Sequence, residues 1–197
     1  MNVNDKVSMD YEARVMINES EYLKIKEEYL NIGRICREFT NKNTYFDSPD
    51  LYLTHHHMVL RIREIDGLEK ELTLKVKGED GDIEITHNIE SEEEYQKLLS
   101  GNISNLEIEK EISSRGGDIK SLGVITTLTT ERVEVEFDDH LLVIDKNFYN
   151  NKIDFNLEVE STSRELAKEY LEKVISKYGI AYKKDYISKS RRAILKL

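Results

Sequence analysis

The sequence predicts an α+β protein: an eight-stranded antiparallel closed β-barrel, or tunnel, with amphipathic helices packed outside it. Three observations carry that prediction. Eight stretches read as strands, and the turns between several of them are too short for parallel crossovers. Helical segments with apolar stripes interrupt the strands and need an apolar sheet face to cover. Along the strands, charged and apolar residues alternate, as in Asp10-Tyr11-Glu12-Ala13-Arg14-Val15 and Arg132-Val133-Glu134-Val135-Glu136. Period two sends those charges to one face, and the dense acid and base on these faces exceed what a solvated strand face needs.

In chain order, the first strand is expected over 9–17. A helix follows over 19–31, with Asn18 as N-cap, Glu21 three residues on, and Tyr22, Ile25, Tyr29 and Ile32 on one stripe. The second strand spans 34–46, and Pro49 lies in the loop after it. Strands over 58–65, 69–77 and 82–90 are joined by Asp66-Gly67 and Glu79-Asp80-Gly81-Asp82, which read as hairpin turns. A second helix starts at Ser91, with Glu94 in capping-box position and Tyr95, Leu98 and Leu99 as its apolar residues; a short helix is expected near 117–122. Strands over 124–137, 140–147 and 153–161 complete the set. A third long helix starts at Thr162, with Glu165 in capping position, and Gly179 closes it. The helix stripes require Leu60, Ile62, Leu72, Leu74, Val133, Val135, Leu157 and Val159 as partners, so the charges lie on the opposite faces. In a closed barrel they would face the lumen, and about eight strands enclose room for one small ligand.

Composition limits what that lumen can do. The chain has 197 residues, 39% of them apolar, enough for one core and a single domain spanning 1–197. Charged residues make up 35%, against about 25% in ordinary domains. The net charge of −10 argues against a nucleic-acid-binding surface but permits a local basic pocket for a small anion. No apolar run approaches the ~20 residues that span a bilayer and no signal-peptide stretch is present, so a cytoplasmic protein without a membrane partner is expected. The lone Cys36 cannot form an intrachain disulfide. No GxxxxGK[ST] loop or nucleophile elbow exists, which excludes a P-loop nucleotide site and leaves acyl transfer unsupported.

Basic residues Arg14, Arg61, Arg63, Lys75, Arg132 and Lys189 in such a lumen would suit a strongly anionic ligand, since guanidinium forks match phosphate oxygens. Acids Asp10, Glu12, Glu84, Asp145, Glu158 and Glu160 cannot hold phosphate, but they can hold Mg²⁺ or Mn²⁺ bridging to it. Cations and carboxylates together are the equipment of phosphoryl transfer. Other tempting features have plainer readings. Adjacent His55, His56 and His57 point in different directions and suit a loop better than a metal site. Tyr22, Tyr29, Tyr170 and Tyr178 sit at helical spacing and read as packing residues. Glu92-Glu93-Glu94 suits a helix amino terminus.

These residues, in this order, resemble the CYTH domain, the triphosphate tunnel metalloenzymes, of the compact stand-alone bacterial type. Asp10-Tyr-Glu12-Ala-Arg14 resembles the ExExK signature, and Thr44-Tyr-Phe-Asp47-Ser-Pro49 the YFDTP segment. Leu60-Arg61-Ile-Arg63 resembles LRIR, Leu72-Thr73-Leu-Lys75 resembles LTLK, and Glu158-Val-Glu160 matches the paired-glutamate strand. Asp10 is one methylene shorter than the signature's glutamate, and Arg14 replaces its lysine. The resemblance implies metal-dependent hydrolysis of a triphosphate, first of all inorganic tripolyphosphate. It implies Asp10, Glu12, Asp145, Glu158 and Glu160 as metal ligands for Mg²⁺ or Mn²⁺. Arg14, Arg61, Arg63, Lys75, Arg132 and Lys189 would bind phosphate, and Glu12, Lys75, Asp145 and Glu84 would serve as catalytic residues. Class IV adenylate cyclase, thiamine or nucleoside triphosphatase, and a non-catalytic polyphosphate or nucleotide sensor are the alternatives. A homodimer is the association the family suggests.

Overall fold

The computed structural model describes residues 5–31, 36–183 and 187–197. Ile32 of the expected helix stripe and the first two residues of the strand expected from 34 lie outside them. Nine strands form one sheet: β1 (Asp5–Asp10), β2 (Glu12–Ile17), β3 (Cys36–Asp47), β4 (Met58–Ile65), β5 (Glu69–Val76), β6 (Asp82–Asn88), β7 (Gly123–Glu136), β8 (His140–Tyr149) and β9 (Lys152–Ser161). Their order is β1-β6-β5-β4-β3-β7-β8-β9-β2. The α+β antiparallel class is as expected, with nine strands instead of eight. Tyr11 divides the expected first strand into β1 and β2, which are the two end members of that order. Tyr11 still accepts a 3.1 Å hydrogen bond on its carbonyl from the Ser161 amide.

Helices are α1 (Glu19–Asn31), α2 (Tyr52–His55), α3 (Glu92–Leu99), α4 (Leu106–Ser114), α5 (Arg164–Ser176) and α6 (Lys189–Ile194), with one 3-10 turn at Ile119–Ser121. The reciprocal Asn18/Glu21 capping box forms as read, at 2.7 and 2.9 Å. Ser91 likewise caps α3 through the Glu94 amide. The cap of α5 is Ser163, accepting from Leu166, rather than Thr162. The short helix expected near 117–122 is the 3-10 turn.

Contacts divide the chain into two compact units, Met1–Met9 with Lys42–Leu128 and Ser190–Leu197, and Asp10–Asn41 with Thr129–Lys189. Each has its own core, described in turn.

In the first unit, β4, β5 and β6 pair antiparallel, with Leu60 opposite Leu74 and Leu74 opposite Ile85. Leu60, Ile62, Leu72 and Leu74 pack with Tyr95 and Leu98 of α3 and with Ile108 and Ile112 of α4. The Asp66-Gly67 hairpin forms with both residues left-handed, φ 50° and 71°. α2 is too short to hold itself; the buried Asp47 carboxylate fixes it by accepting from the Leu53 and Thr54 amides at 2.8 and 3.0 Å and from the Thr54 hydroxyl at 2.7 Å.

In the second unit, β7, β8, β9 and β2 pair antiparallel in that order. One face presents Val133, Val135, Leu142, Ile144, Leu157, Val159, Ala13 and Val15, which pack against Tyr22, Ile25 and Tyr29 of α1 and Ala167, Leu171 and Val174 of α5. Burying these side chains is worth about 1.5–3 kcal/mol each before entropy is counted. All eight apolar partners expected from the helix stripes are buried in one or other core. That leaves the opposite face of each set of strands for the charges.

Candidate functional site

On the polar face of the second unit, the register stacks charge across four strands. Arg132 of β7 stands opposite Asp145 of β8, which stands opposite Asn156 of β9. One layer along, Glu158 of β9 stands between Val143 of β8 and Arg14 of β2, and the next layer pairs Glu160 with Glu12. Alternation in each strand puts these residues on one face because the strands' other residues fill the core.

Asp145, fully buried, is the anchor. Arg132 grips it with two bonds, Nε to Oδ1 at 2.9 Å and a terminal nitrogen to Oδ2 at 3.0 Å. Lys189, the first residue of α6, reaches the same Oδ2 at 2.5 Å and Glu158 at 2.9 Å. Glu158 is also met by Arg132 and by Arg14, both at 3.2 Å. Arg14 is paired with Glu12 as well, and Glu134 lies 3.7 Å from Arg132. Three cations thus converge on two buried carboxylates.

Electrostatics follow from that arrangement. Burial works against the charge of Arg132, but Asp145 and Glu158 outweigh it and raise its pKa. Burial would raise Glu158, yet Lys189, Arg14 and Arg132 hold it well below the usual carboxylate range. Burial pulls Lys189 below the ordinary lysine value; Asp145 and Glu158 resist, while Arg132 and Arg14 reinforce the shift. Glu160 behaves oppositely to Glu158. Burial, with Asp10, Glu158 and Glu12 nearby and Arg132 only partly compensating, lifts it to about 7.

That acid-rich end is where a divalent cation fits in chemistry. Asp10, Glu12 and Glu160 offer only oxygen, the ligand a hard cation takes, and Glu160 lacks enough positive charge beside it to stay ionised easily. Among the described residues, however, no three His, Cys, Asp or Glu side chains form a ready-made metal cage. Glu12 and Glu158 are held by Arg14, and Asp145 has its oxygens held by Arg132 and Lys189. Cation binding would exchange these partners.

The first unit carries its own polar face on β4–β6. Arg61, Thr73 and Thr86 share one layer, and Lys75 and Glu84 stand opposite each other in the next. Arg61 lies 3.5 Å from Glu84, Lys75 lies 3.8 Å from Asp82, and Arg63 lies 3.4 Å from Glu71. Arg63 also donates to Asn43 at 3.2 Å. Among the described residues, the buried Nε of Arg61 has no hydrogen-bond partner. The predicted residues therefore assemble as one group of Asp10, Glu12, Arg14, Arg132, Asp145, Glu158, Glu160 and Lys189, and another of Arg61, Arg63, Lys75 and Glu84.

Sequence reasoning missed the neutral members of the second unit's face. Asn147 and Asn156, both fully buried, bond each other at 2.8 Å. Their signal was available: each lies two residues from an assigned acid, Asp145 or Glu158, and so on the same face of its strand. Asp47 belongs to the YFDTP-like segment and serves the turn into α2. His55 is the last residue of α2, and His56 stacks on Tyr52 at 3.9 Å between ring centroids.

Comparison with known proteins matches this geometry to a family. The CYTH domain model matches residues 8–193. The Bacillus subtilis protein named "Putative triphosphatase YjbK" is 27% identical over 167 residues, covering 82% of this chain and 86% of that protein. A crystal structure titled as a "putative adenylate cyclase" from Bacillus halodurans superposes with a TM-score of 0.83 at 23% identity, covering 94% of this chain and 97% of the other. HpAC1 from Hippeastrum, titled as a "putative adenylyl cyclase" that "reveals a dominant" triphosphatase activity, superposes with a TM-score of 0.68 at 18% identity, covering 92% and 93%. With a family model spanning nearly its whole length and the acid and base strands in the expected register, this chain belongs to the CYTH domain family.

Proposed function

We propose that this protein hydrolyses a triphosphate, inorganic tripolyphosphate first, with the help of Mg²⁺ or Mn²⁺. Family membership and a triphosphatase-named relative support hydrolase activity in general; substrate and metal are the finer part of the proposal. The observation that carries it is the convergence of Arg14, Arg132 and Lys189 on buried Glu158, one layer from the acid-rich Glu160. Cations and acids kept apart by one strand layer suit a ligand that is itself an anion carrying a cation.

In this reading, Arg14, Arg132 and Lys189 bind phosphate oxygens and offset the charge on the leaving diphosphate, and Arg61, Arg63 and Lys75 are further phosphate-binding candidates by their resemblance to the LRIR and LTLK strands. Arginine forks orient the chain of phosphates, and Lys189 adds a point charge. Asp10, Glu12, Glu158 and Glu160, with Asp145 behind them, would hold the metal, which supplies Lewis-acid polarisation of phosphate oxygens. Lys75 and Glu84, opposite each other in the first unit, are the further catalytic candidates. Among the described residues no helix is long and apolar enough to cross a membrane, and the proposed partner is a small anion.

Phosphate release from tripolyphosphate, thiamine triphosphate and ATP, each with Mg²⁺ and Mn²⁺, tests the proposal. The expected result is fastest release from tripolyphosphate, reduced about 10²-fold or more in Glu158→Ala/Glu160→Ala. Cyclic AMP from ATP would make the protein a cyclase. Tight triphosphate binding by calorimetry without turnover would make it a sensor.

A further inference from the structure

We infer that Asn156 is a positioning residue, which aims the two carboxylates that hold the three cations of the second unit. This rests on the triphosphatase reading for its kinetic consequence but on hydrogen bonding alone for its structural one. The Asn156 side-chain amide donates to Asp145 Oδ2 at 3.4 Å and to Glu158 Oε1 at 3.3 Å. Those are the carboxylates that receive Arg132 and Lys189, and Glu158 also receives Arg14. A neutral donor shared by two acids sets their mutual angle without adding charge. A carboxylate in its place would repel both, and an apolar residue would remove the donor they share.

The orientation of that amide is itself imposed from behind. Asn156 Oδ1 accepts from Asn147 Nδ2 at 2.8 Å. Asn147 cannot turn round, because its own Oδ1 accepts from the Thr130 hydroxyl at 2.8 Å and its Nδ2 also donates to Asp154 at 2.9 Å. Asp154 in turn accepts from the Tyr149 hydroxyl at 2.5 Å. Ionised carboxylates only accept, so Asp154 fixes which end of Asn147 it meets, and the Thr130 hydroxyl completes that arrangement by donating to the Asn147 oxygen, which leaves the other Asn147 proton for Asn156 Oδ1. Thr130, Asn147 and Asn156 are all buried, which raises the cost of breaking the chain at any point. Thr130 of β7 stands opposite Asn147 of β8, one layer from the Arg132–Asp145 pair, and Asn156 of β9 stands opposite Asp145 itself.

Two readouts test this. The first is solvent exchange of the Arg132 Nε proton by NMR, which needs no substrate. Asn156→Ala and Thr130→Val are each expected to speed that exchange, and Thr130→Ser, which keeps the hydroxyl, to preserve the wild-type rate. The second is tripolyphosphate hydrolysis, where both variants are expected to lose about 10–100-fold in kcat, as loss of an outer-shell partner does, with KM little changed. Thr130→Val is nearly isosteric, so it keeps the test alive if Asn156→Ala fails to fold. Wild-type exchange and kcat in a folded Thr130→Val protein would overturn the inference, as would a rise in KM alone. Faster exchange in the variants of a protein that hydrolyses no triphosphate would uphold the positioning role and refute the triphosphatase reading instead.

Discussion

Asp145 is the residue on which the second unit's polar face depends. It is fully buried, and its two oxygens are taken by Arg132 and Lys189. Asp145→Asn keeps the shape and removes the charge, leaving buried cations undercompensated. The expected loss is about 3–5 kcal/mol, read from urea denaturation at neutral pH. A second residue reports from the first unit. Burial and the hydrogen bond to Glu64 push the Tyr95 phenol up to about 12. Its folded pKa exceeds the unfolded value of about 10, so its stabilisation is complete below pH ~10 and is lost as pH rises through about 12. Burial or a carboxylate partner raises Tyr22, Tyr29, Tyr170 and Tyr178 as well, so ultraviolet titration should show several tyrosines ionising late, and Tyr95→Phe should remove one of those steps and reduce the alkaline loss of stability. The charges at both places were readable from residue type and period. Which charge meets which was not, since Asp145 reads equally as a metal ligand or as an arginine's partner until the strand register is known.

At the scale of elements, the strands were legible because period two and turn chemistry agreed. The Asp66-Gly67 hairpin and the stretch over 58–65 were recovered to the residue. α4 was missed for a physical reason. Leu106-Glu-Ile108-Glu-Lys-Glu-Ile112 mixes alternation with helical spacing, and Asn105 settles the matter by capping the Glu107 and Ile108 amides. The break at Tyr11 left no mark, since its neighbours on both sides alternate without interruption. α5 offers a clean test of capping: Ser163→Ala should cost about 1 kcal/mol in thermal unfolding, and Thr162→Ala much less. Gly67→Ala tests the hairpin. A Cβ there meets nothing within 4 Å, so the cost of about 1 kcal/mol is backbone strain at φ +71° alone.

Across the whole molecule, two cores serve one chain, and β3 and β7 each run through both units. Leu157→Ala, in the second core, should cost about 2–5 kcal/mol. Native-state hydrogen exchange should then quicken across β2, β8 and β9 while β4–β6 keep their protection; equal quickening in both sets would mean that the cores open together. Sequence alone pointed to one core because composition measures how much can be buried, not where. The net charge of −10 is similarly blind to place, for it hides a cluster where three cations converge on buried Glu158. That cluster has a consequence for selectivity. In the triphosphate reading, Asp145 and Glu158 stand where the incoming anion's oxygens would go, so that ligand would meet an incumbent. A single chloride or carboxylate would offer the three cations no better than what they hold. A ligand would displace the incumbents only by presenting several oxygens at once, so the chain would carry its own competitive inhibitor, set to fail against a polyanion.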